Sequence, residues 1–208
     1  MNMNCLVTGA AGYIGSHTLI SLIQEGYSPI VVDNFSNSSI NTIQKVEKIT
    51  GKKIKIYEID ICSPKFEKIL VDEKISIVIH FAALKSVPDS QIKPIDYYQN
   101  NISGFINILE SMNKTKIKKL IFSSSASVYG DECLSPVNED SELLPKNPYA
   151  ETKLISERLC QNLSSLDKNW NIVLLRYFNP VGAHYSGILG EESLIPSTNL
   201  FPIVGDVA

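Results

Sequence analysis

Short apolar runs alternate along this chain with stretches in which apolar residues recur every three or four positions. The apolar runs predict six strands, at 4–8, 29–32, 54–59, 75–81, 120–123 and 172–176. The helical spacing predicts five helices, at 13–25, 40–50, 66–73, 96–112 and 149–166. Gly26 and Gly51 follow the first two helices, where glycine commonly ends a helix. Apolar strands that alternate with helices indicate a doubly wound α/β fold, in which helices cover both faces of a parallel sheet.

Two parts of the chain break this alternation. Residues 131–148 are rich in acidic residues and proline, and they predict a long loop. Beyond residue 180 the regular succession of strands and helices ends, and we expect loops with short elements. The regular part of the fold is therefore predicted to span residues 1–180, with residues 181–208 organised differently.

The composition excludes several classes of protein. Hydrophobic residues make up 44% of the 208 residues and charged residues 20%, which is typical of a globular chain. The net charge of −3 provides no basic surface for nucleic acid. No stretch approaches the ~20 apolar residues of a membrane helix, and the start of the chain lacks a signal-peptide pattern. Four scattered cysteines fit a reducing compartment, so we expect a cytoplasmic protein without membrane or nucleic-acid partners.

Three glycines follow the first predicted strand and open the first predicted helix. Gly9, Gly12 and Gly15 form the pattern GxxGxxG, which suits a tight strand-to-helix turn and also lets a pyrophosphate approach the backbone. The helix N-terminus would supply N–H donors to the phosphates. Asp33 ends the second strand, where a carboxylate accepts hydrogen bonds from an adenosine ribose and repels a 2′-phosphate. We therefore predict a Rossmann-like site for NAD rather than NADP, with residues 60–61 either beside the adenine or capping a helix.

A second group of residues lies at the fifth predicted strand and the last predicted helix. Tyr149 and Lys153 are spaced i, i+4, which places both on one helix face. A neighbouring ammonium and a nicotinium charge would lower the phenol pKa from about 10 toward the working range of a base. Serines 123–125 end the fifth strand, and open α/β sheets bind ligands at strand C-termini. A serine upstream of Tyr-x-x-x-Lys, after a dinucleotide-binding loop, is the arrangement of short-chain dehydrogenases and reductases.

The chain resembles the extended branch of this superfamily, and within it the UDP-glucose 4-epimerase family. The matching segments run in order along nearly the whole chain: TGAAGYIGSH (8–17), VVDNFSNS (31–38), VIHFAALKSV (78–87), YYQNN (97–101), FSSSASVYG (122–130), NPYAETK (147–153) and LLRYFNPVGAH (174–184). The last segment is specific to the epimerases. The resemblance implies NAD-dependent interconversion of UDP-glucose and UDP-galactose in galactose metabolism. Hydride would leave sugar C4, a 4-keto intermediate would form, and hydride would return to the opposite face.

The resemblance also implies roles for individual residues. Tyr149 would be the general base, Lys153 its electrostatic partner, and Ser125 the third catalytic residue. Besides Tyr149 and Lys153, the residues implied to bind NAD are Gly9, Gly12, Tyr13, Ile14, Gly15, Asp33, Asn34, Phe35, Ser36, Asn37, Ser38, Asp60, Ile61, Phe81, Ala82, Ala83, Leu84, Lys85, Asn100 and Phe178. The residues implied to face the UDP-sugar are Ser125, Ser127, Tyr149, Tyr177, Asn179, Asn199 and Leu200.

Domain organisation, assembly and metal content are the remaining expectations. Members of the family are longer, and their distal part supplies much of the UDP-sugar site. Residues 1–180 would thus be the NAD-binding domain with the catalytic residues, and 181–208 an incomplete start of the substrate-binding region. The helices at 96–112 and 149–166 carry more apolar positions than one sheet face needs, and the family resemblance implies a homodimer through such helices. The three histidines are expected to support the fold, and no cluster has metal-ligand spacing.

Two alternative functions stay open. The first is another extended short-chain oxidoreductase acting on a nucleotide sugar, such as a dehydratase or decarboxylase. Dehydratases of this branch usually place an acidic pair beside the serine and tyrosine, and the segment Ser-Ala-Ser at 125–127 lacks it. The second is a catalytically impaired NAD-binding fragment, because slow or no turnover is expected without the distal part of the sugar site.

Overall fold

A six-stranded parallel sheet forms the centre of the computed structural model, which describes residues 3–191 and 203–204. Its strands are β1 (Asn4–Thr8), β2 (Ser28–Asp33), β3 (Lys55–Glu58), β4 (Ile77–His80), β5 (Lys119–Ser125) and β6 (Asn171–Tyr177). They are arranged in the order β3-β2-β1-β4-β5-β6, and every neighbouring pair is parallel. The doubly wound α/β fold predicted from the sequence is confirmed.

Helices cover the sheet on both faces. They are α1 (Tyr13–Gln24), α2 (Ile40–Thr50), α3 (Phe66–Asp72), α4 (Val87–Ile92), α5 (Pro94–Tyr98), α6 (Gly104–Lys114) and α7 (Pro148–Leu166). One core cluster joins Leu6 and Leu120 of the sheet to Phe66, Phe105 and Cys160 of α3, α6 and α7. A second cluster packs α1 and α2 against the opposite face. None of the helices in the described part of the chain is long and apolar enough to cross a membrane.

The strand order creates a switch point between β1 and β4. Thr8 ends β1 and lies in register with Val32 on one side and with His80 on the other. The connections that leave these two strands run to opposite sides of the sheet, so a crevice opens outside their carboxyl ends. The glycine loop after β1, Asp33 at the end of β2 and the serines at the end of β5 all lie along this edge.

The helical region after β4 differs from the prediction. The single helix expected at 96–112 is instead α5, a π-helical turn at Gln99–Ser103 and α6, and the short helix α4 precedes them. Pro88 and Pro94 lie in the first turns of α4 and α5, where a residue without an N–H costs no helical hydrogen bond. These prolines begin new helices and therefore divide the region into short pieces.

Among the described residues, strand β6 forms one edge of the sheet. Ile172 and Leu174 pack against the first core cluster, whereas Val173 between them is 45% exposed. Strand β3 forms the other edge and is shorter, with the sequence KIYE. The two edges of the sheet thus differ in length and in polarity.

Candidate active site

The glycine loop is shaped by close backbone contacts. Gly9 has φ +65°, and a Cβ there would lie 2.5 Å from the Ala82 nitrogen. A Cβ on Gly15 would lie 2.6 Å from the Gly9 carbonyl oxygen. At Gly12 the closest atom, again the Gly9 oxygen, would be 3.3 Å away. Packing therefore requires glycine at positions 9 and 15, whereas position 12 is only moderately crowded.

Helix α1 begins at this loop without a side chain to cap it. Gly12 is the N-cap residue, and the first turn contains no acidic residue. The N–H groups of the first turn and the positive end of the helix dipole consequently face the sheet edge without a capping side chain. Such an N-terminus fits a pyrophosphate. Tyr13 reaches across the loop, and its hydroxyl donates to the Gly182 carbonyl over 2.6 Å.

Asp33 joins the glycine loop to the loop that follows β2. Its carboxylate is buried, and Oδ2 accepts the Ala11 N–H over 2.9 Å. Oδ1 accepts hydrogen bonds from the Phe35 N–H and the Ser38 hydroxyl, both over 3.0 Å. A carboxylate has about four acceptor positions, so one stays free for a ribose hydroxyl. Asp33 therefore both shapes this corner and keeps a negative charge beside it.

The next pair of predicted residues lies one strand further out. Asn34 donates to Asp60 Oδ2 over 2.8 Å, and the Cys62 N–H donates to Asp60 Oδ1 over 2.7 Å. Burial alone would raise the pKa of Asp60, but these hydrogen bonds outweigh it and hold the pKa below its usual value. Asp60 does not cap a helix, because α3 begins after Lys65. Ile61 is a core residue, and its side chain packs into the first cluster.

A cleft of about 370 Å³ opens beside Asp60. Its lining residues are Asp60, Cys62, Leu84, Asp96, Gln99 and Asn100. Three of the residues implied to bind NAD thus meet in one cavity. Of the remaining members of that set, Phe81 and Ala82 pack against the two core clusters, and Lys85 is an exposed partner of Glu191, at 3.9 Å.

Asn101 holds the loop after β4 in place. Its Oδ1 accepts the Leu84 N–H over 2.9 Å, and its Nδ2 donates to the Leu84 carbonyl and to the Thr152 hydroxyl over 3.0 and 3.1 Å. The neighbouring Asn100 donates to the same Oδ1 over 2.8 Å. The buried Asn101 was not singled out from the sequence, although an asparagine pair inside a predicted amphipathic helix is a signal that could have found it.

Helix α7 carries the predicted Tyr-x-x-x-Lys pair. The Asn147 side chain caps the helix by accepting the Ala150 N–H over 2.9 Å, and Pro148 begins the first turn. The buried Lys153 ammonium donates to the Ser123 carbonyl over 2.7 Å and lies 5.9 Å from the centre of the Tyr149 ring. Burial lowers the pKa of Lys153 to about 8. An ammonium group that loses its proton more readily than an ordinary lysine therefore lies beside the phenol.

The pKa of the Tyr149 phenol is raised in the protein alone. Burial raises the pKa of Tyr149, and a hydrogen bond with the Ser125 hydroxyl lowers it only in part. Desolvation dominates at this position in the protein alone, and the lowering expected from the ammonium together with a nicotinium charge stays a prediction. Ser127 donates to Ser125 over 2.9 Å. The three hydroxyl groups therefore form a short relay at the end of β5.

Of the residues implied to face the sugar, Ser125, Ser127 and Tyr149 form this relay. Tyr177 is the register partner of Ser125 on β6, and burial raises its pKa. Asn179 is exposed, and so is the preceding Phe178, which is implied to bind NAD and stacks on Tyr129 at 6.4 Å between ring centres. Asn199 and Leu200 lie outside the described residues.

The histidines have no catalytic geometry. His80 is buried, stacks on Phe105 and shares a 2.7 Å hydrogen bond with the Thr8 hydroxyl. Burial and then the Lys153 charge lower the pKa of His80 to about 3, so it is neutral. His17 lies within 3.0 Å of the Tyr13 carbonyl through Nδ1, and its Nε2 is buried without a partner. In the described part of the chain, no group of His, Cys, Asp and Glu residues could hold a metal.

Comparison with known proteins identifies the family of this chain. The model of the NAD dependent epimerase/dehydratase family matches residues 5–199. The chain belongs to this family. It is 50% identical over 204 residues to the UDP-glucose 4-epimerase of Dictyostelium discoideum, covering 98% of this chain and 59% of that protein. The corresponding enzyme of Bacillus subtilis is 46% identical, with 99% of this chain and 61% of that protein covered.

Solved structures of the family show the same fold. The UDP-glucose 4-epimerase of Bifidobacterium longum, solved with NAD+ and UDP, superimposes with a TM-score of 0.95 at 45% identity. That comparison covers 99% of this chain and 62% of the solved chain. The enzyme of Stenotrophomonas maltophila, solved with NAD and formylated UDP-arabinopyranose, gives a TM-score of 0.96 at 41% identity. The chain thus spans about three fifths of the length of these relatives.

Proposed function

We propose that this chain binds NAD along the crevice at the carboxyl ends of β1, β2 and β4. The uncapped N-terminus of α1 would take the pyrophosphate, and the free acceptor position of Asp33 would take a ribose hydroxyl. A 2′-phosphate would meet the Asp33 charge, so NAD is expected to bind more tightly than NADP. Calorimetry with the two cofactors tests this assignment. Equal or tighter binding of NADP contradicts it.

The proposed activity is the interconversion of UDP-glucose and UDP-galactose. The observation that carries it is the junction of β5 and α7, where Tyr149, Lys153 and the Ser125–Ser127 hydroxyl pair meet beside the glycine-loop crevice. NAD, when bound, supplies a hydride acceptor at the sugar C4 and returns the hydride. The relatives named UDP-glucose 4-epimerase and the segment RYFNPVGAH at 176–184 support this substrate.

The chain's own residues would handle the proton. Tyr149 would accept the proton of the sugar 4-hydroxyl and give it back after the 4-ketone has turned its other face. Ser125 would stabilise the phenolate by donating a hydrogen bond, and Ser127 would support Ser125. Lys153 would hold its ammonium close to the phenol while fixed to the Ser123 carbonyl. Burial of the Lys153 ammonium beside the phenol keeps water away from the phenol oxygen of Tyr149.

Replacing the base tests the proposal directly. Tyr149→Phe removes one oxygen, so we expect normal folding, unchanged NAD content and a turnover of UDP-galactose reduced by ~10²–10⁴-fold. Tyr185→Phe is the control, because that side chain is 90% exposed. The assay is best run on a protein of the relatives' length, since this chain spans only 59–62% of them. Full activity of Tyr149→Phe would overturn the assignment of the base.

A dehydratase would need a carboxylate beside the serine and tyrosine. Ser125 and Ser127 bond to each other and to their own loop, and none of their contacts in the described part of the chain is with a carboxylate. This arrangement favours an epimerase. Release of water from the nucleotide sugar, detected by mass spectrometry of the product, would favour the dehydratase instead.

We also propose a homodimer through the helical regions at 96–112 and 149–166, extended by the neighbouring helices α4 and α5. Ile92 on α4 and Ile95 on α5 are 76% and 77% exposed, and Tyr98 and Ile106 add further apolar surface. Exposed apolar patches on a globular chain commonly mark interaction sites. The helices of a second copy, packed against this surface, would cover these side chains.

A further inference from the structure

A completely buried carboxylate lies behind the catalytic face of α7. Glu157 follows Tyr149 and Lys153 at intervals of four residues, so the three side chains form one stripe on the helix. The Glu157 side chain has no exposed surface. A buried charge is costly unless it is paired and hydrogen-bonded. The role of this residue therefore depends on what its oxygens bind.

Both Glu157 oxygens accept hydrogen bonds. Oε1 accepts the Ser124 hydroxyl over 2.5 Å and the Arg176 Nε–H over 3.0 Å. Oε2 accepts from Nη2 of Arg176 over 2.8 Å. This two-point pairing fixes the orientation of both groups. Arg176 also donates to the Tyr129 hydroxyl over 2.9 Å and to the Glu139 carbonyl over 3.0 Å.

These bonds align α7 with the end of β5. Lys153 bonds the Ser123 carbonyl and Glu157 bonds the Ser124 hydroxyl, while Ser125 is the residue that partly lowers the pKa of Tyr149. Three consecutive residues of the strand thus each meet one residue of the stripe. Arg176 is the register partner of Ser124 on β6, so the same carboxylate joins the helix to both strands.

We propose that Glu157, held by Arg176, is a positioning residue that sets the register of α7 on β5 and so places the Tyr149 phenol against the Ser125 hydroxyl. The proposal rests on the function proposed above for Tyr149. Its physical basis is the short range of a hydrogen bond: a displacement of about 1 Å breaks the contact and can cost 10²-fold in rate. Among the hydrogen bonds of Glu157, the one from the Ser124 hydroxyl lies nearest to the catalytic residues, because Ser124 directly precedes Ser125.

Ser124→Ala tests the link while leaving the ion pair with Arg176 intact. We expect the pKa of Tyr149 to rise, because the hydrogen bond from Ser125 weakens. Ultraviolet titration of phenolate formation measures it, with the same variant carrying Tyr149→Phe subtracted to isolate this tyrosine. Turnover of UDP-galactose in a protein of the relatives' length should fall by about 10- to 100-fold, with unchanged KM and NAD content.

Two further variants separate positioning from stability. Ser156→Ala removes another buried hydroxyl of α7, whose one partner in the described part of the chain is the Thr152 carbonyl of its own helix. This variant should leave the Tyr149 titration unchanged. Ser124→Thr keeps the hydroxyl and should restore both the titration and the turnover.

The outcomes are distinct. An unchanged Tyr149 titration in Ser124→Ala, or an equal shift in Ser156→Ala, overturns the proposal. A shifted titration in Ser124→Ala, together with full activity of Tyr149→Phe, supports the positioning role and overturns the proposed base.

Discussion

Tyr149 and Lys153 share one buried environment, and burial favours the neutral form of each. It raises the pKa of the phenol and lowers the pKa of the ammonium to about 8. The protein alone therefore holds a neutral phenol beside an amine that loses its proton near the physiological range. A positively charged nicotinamide ring would shift the phenol toward its ionised form, so the base would be most effective when the cofactor is in place.

The lowered pKa of Lys153 has a measurable effect on stability. The unfolded chain keeps this proton up to about pH 10.5, whereas the folded chain releases it near pH 8. Between these values the unfolded state binds more protons, so the contribution of Lys153 to stability rises with pH. We expect the free energy of unfolding of wild type, relative to Lys153→Met, to increase by a few kcal/mol from about pH 7 to about pH 10.

Denaturant titrations at several pH values measure this difference. Its slope with pH is the decisive quantity, because the offset also contains the loss of the bond to the Ser123 carbonyl. Lys85→Met, at an exposed lysine, is the control and should show no such slope. A flat difference for Lys153→Met would mean that the ammonium stays charged throughout this range.

The loop glycines at positions 12 and 15 are expected to respond differently to alanine. Gly15→Ala places a Cβ 2.6 Å from a backbone oxygen and should prevent normal folding or reduce stability by several kcal/mol. Gly12→Ala meets its closest atom at 3.3 Å, so it should fold and lose mainly NAD affinity. Thermal unfolding with and without NAD distinguishes the two. Equal destabilisation by both variants would contradict this assignment.

At the scale of single residues, the sequence predicted which residues form the site better than it predicted their pKa values. The glycines, Asp33 and the Tyr-x-x-x-Lys pair follow from residue type and spacing. The direction of the Tyr149 pKa depends on burial, which spacing does not describe. Glu157 was missed for a related reason: a single polar residue in a helix is indistinguishable from a solvated one until its partners on distant strands are known.

At the scale of elements, the loop after β4 depends on one side chain from the π-helical turn. Asn101→Ala would leave the Leu84 N–H and carbonyl without their partner, which costs about 1–3 kcal/mol for each buried group left unpaired. We expect reduced stability and weaker NAD binding, because residues 81–85 lose their support. Asn113→Ala on the exposed end of α6 is the control. Unchanged NAD affinity in Asn101→Ala would show that this loop holds its shape independently.

The bounds of the elements were largely predictable. Strands with continuous apolar runs, such as β1, and helices closed by glycine, such as α2, were predicted closely because local composition decides them. The region from α4 to α6 was not, since its prolines act as helix starts there and the π-helical turn places Asn101 inward. That choice depends on tertiary contacts with α7, which no local pattern contains.

At the scale of the whole molecule, a single substitution tests the proposed dimer. Ile95→Glu puts a charge on the exposed apolar surface of α5 and should raise the dimer dissociation constant by roughly tenfold or more. Light scattering across a concentration series measures it. Leu134→Glu is the control, because Leu134 is equally apolar and 92% exposed but lies in the loop before α7. A wild-type protein that stays monomeric at micromolar concentration would exclude the dimer.

The unequal edges of the sheet have a consequence for handling the protein. An edge strand offers unpaired N–H and carbonyl groups to any other strand that meets it, and natural sheets shorten or charge their edges to prevent this. Strand β3 follows that rule with four residues and a lysine, whereas β6 presents seven residues, NIVLLRY, with Val173 nearly half exposed. Strand-to-strand aggregation of this chain is therefore expected to begin at β6, and a partner segment or a charged residue there would be the remedy.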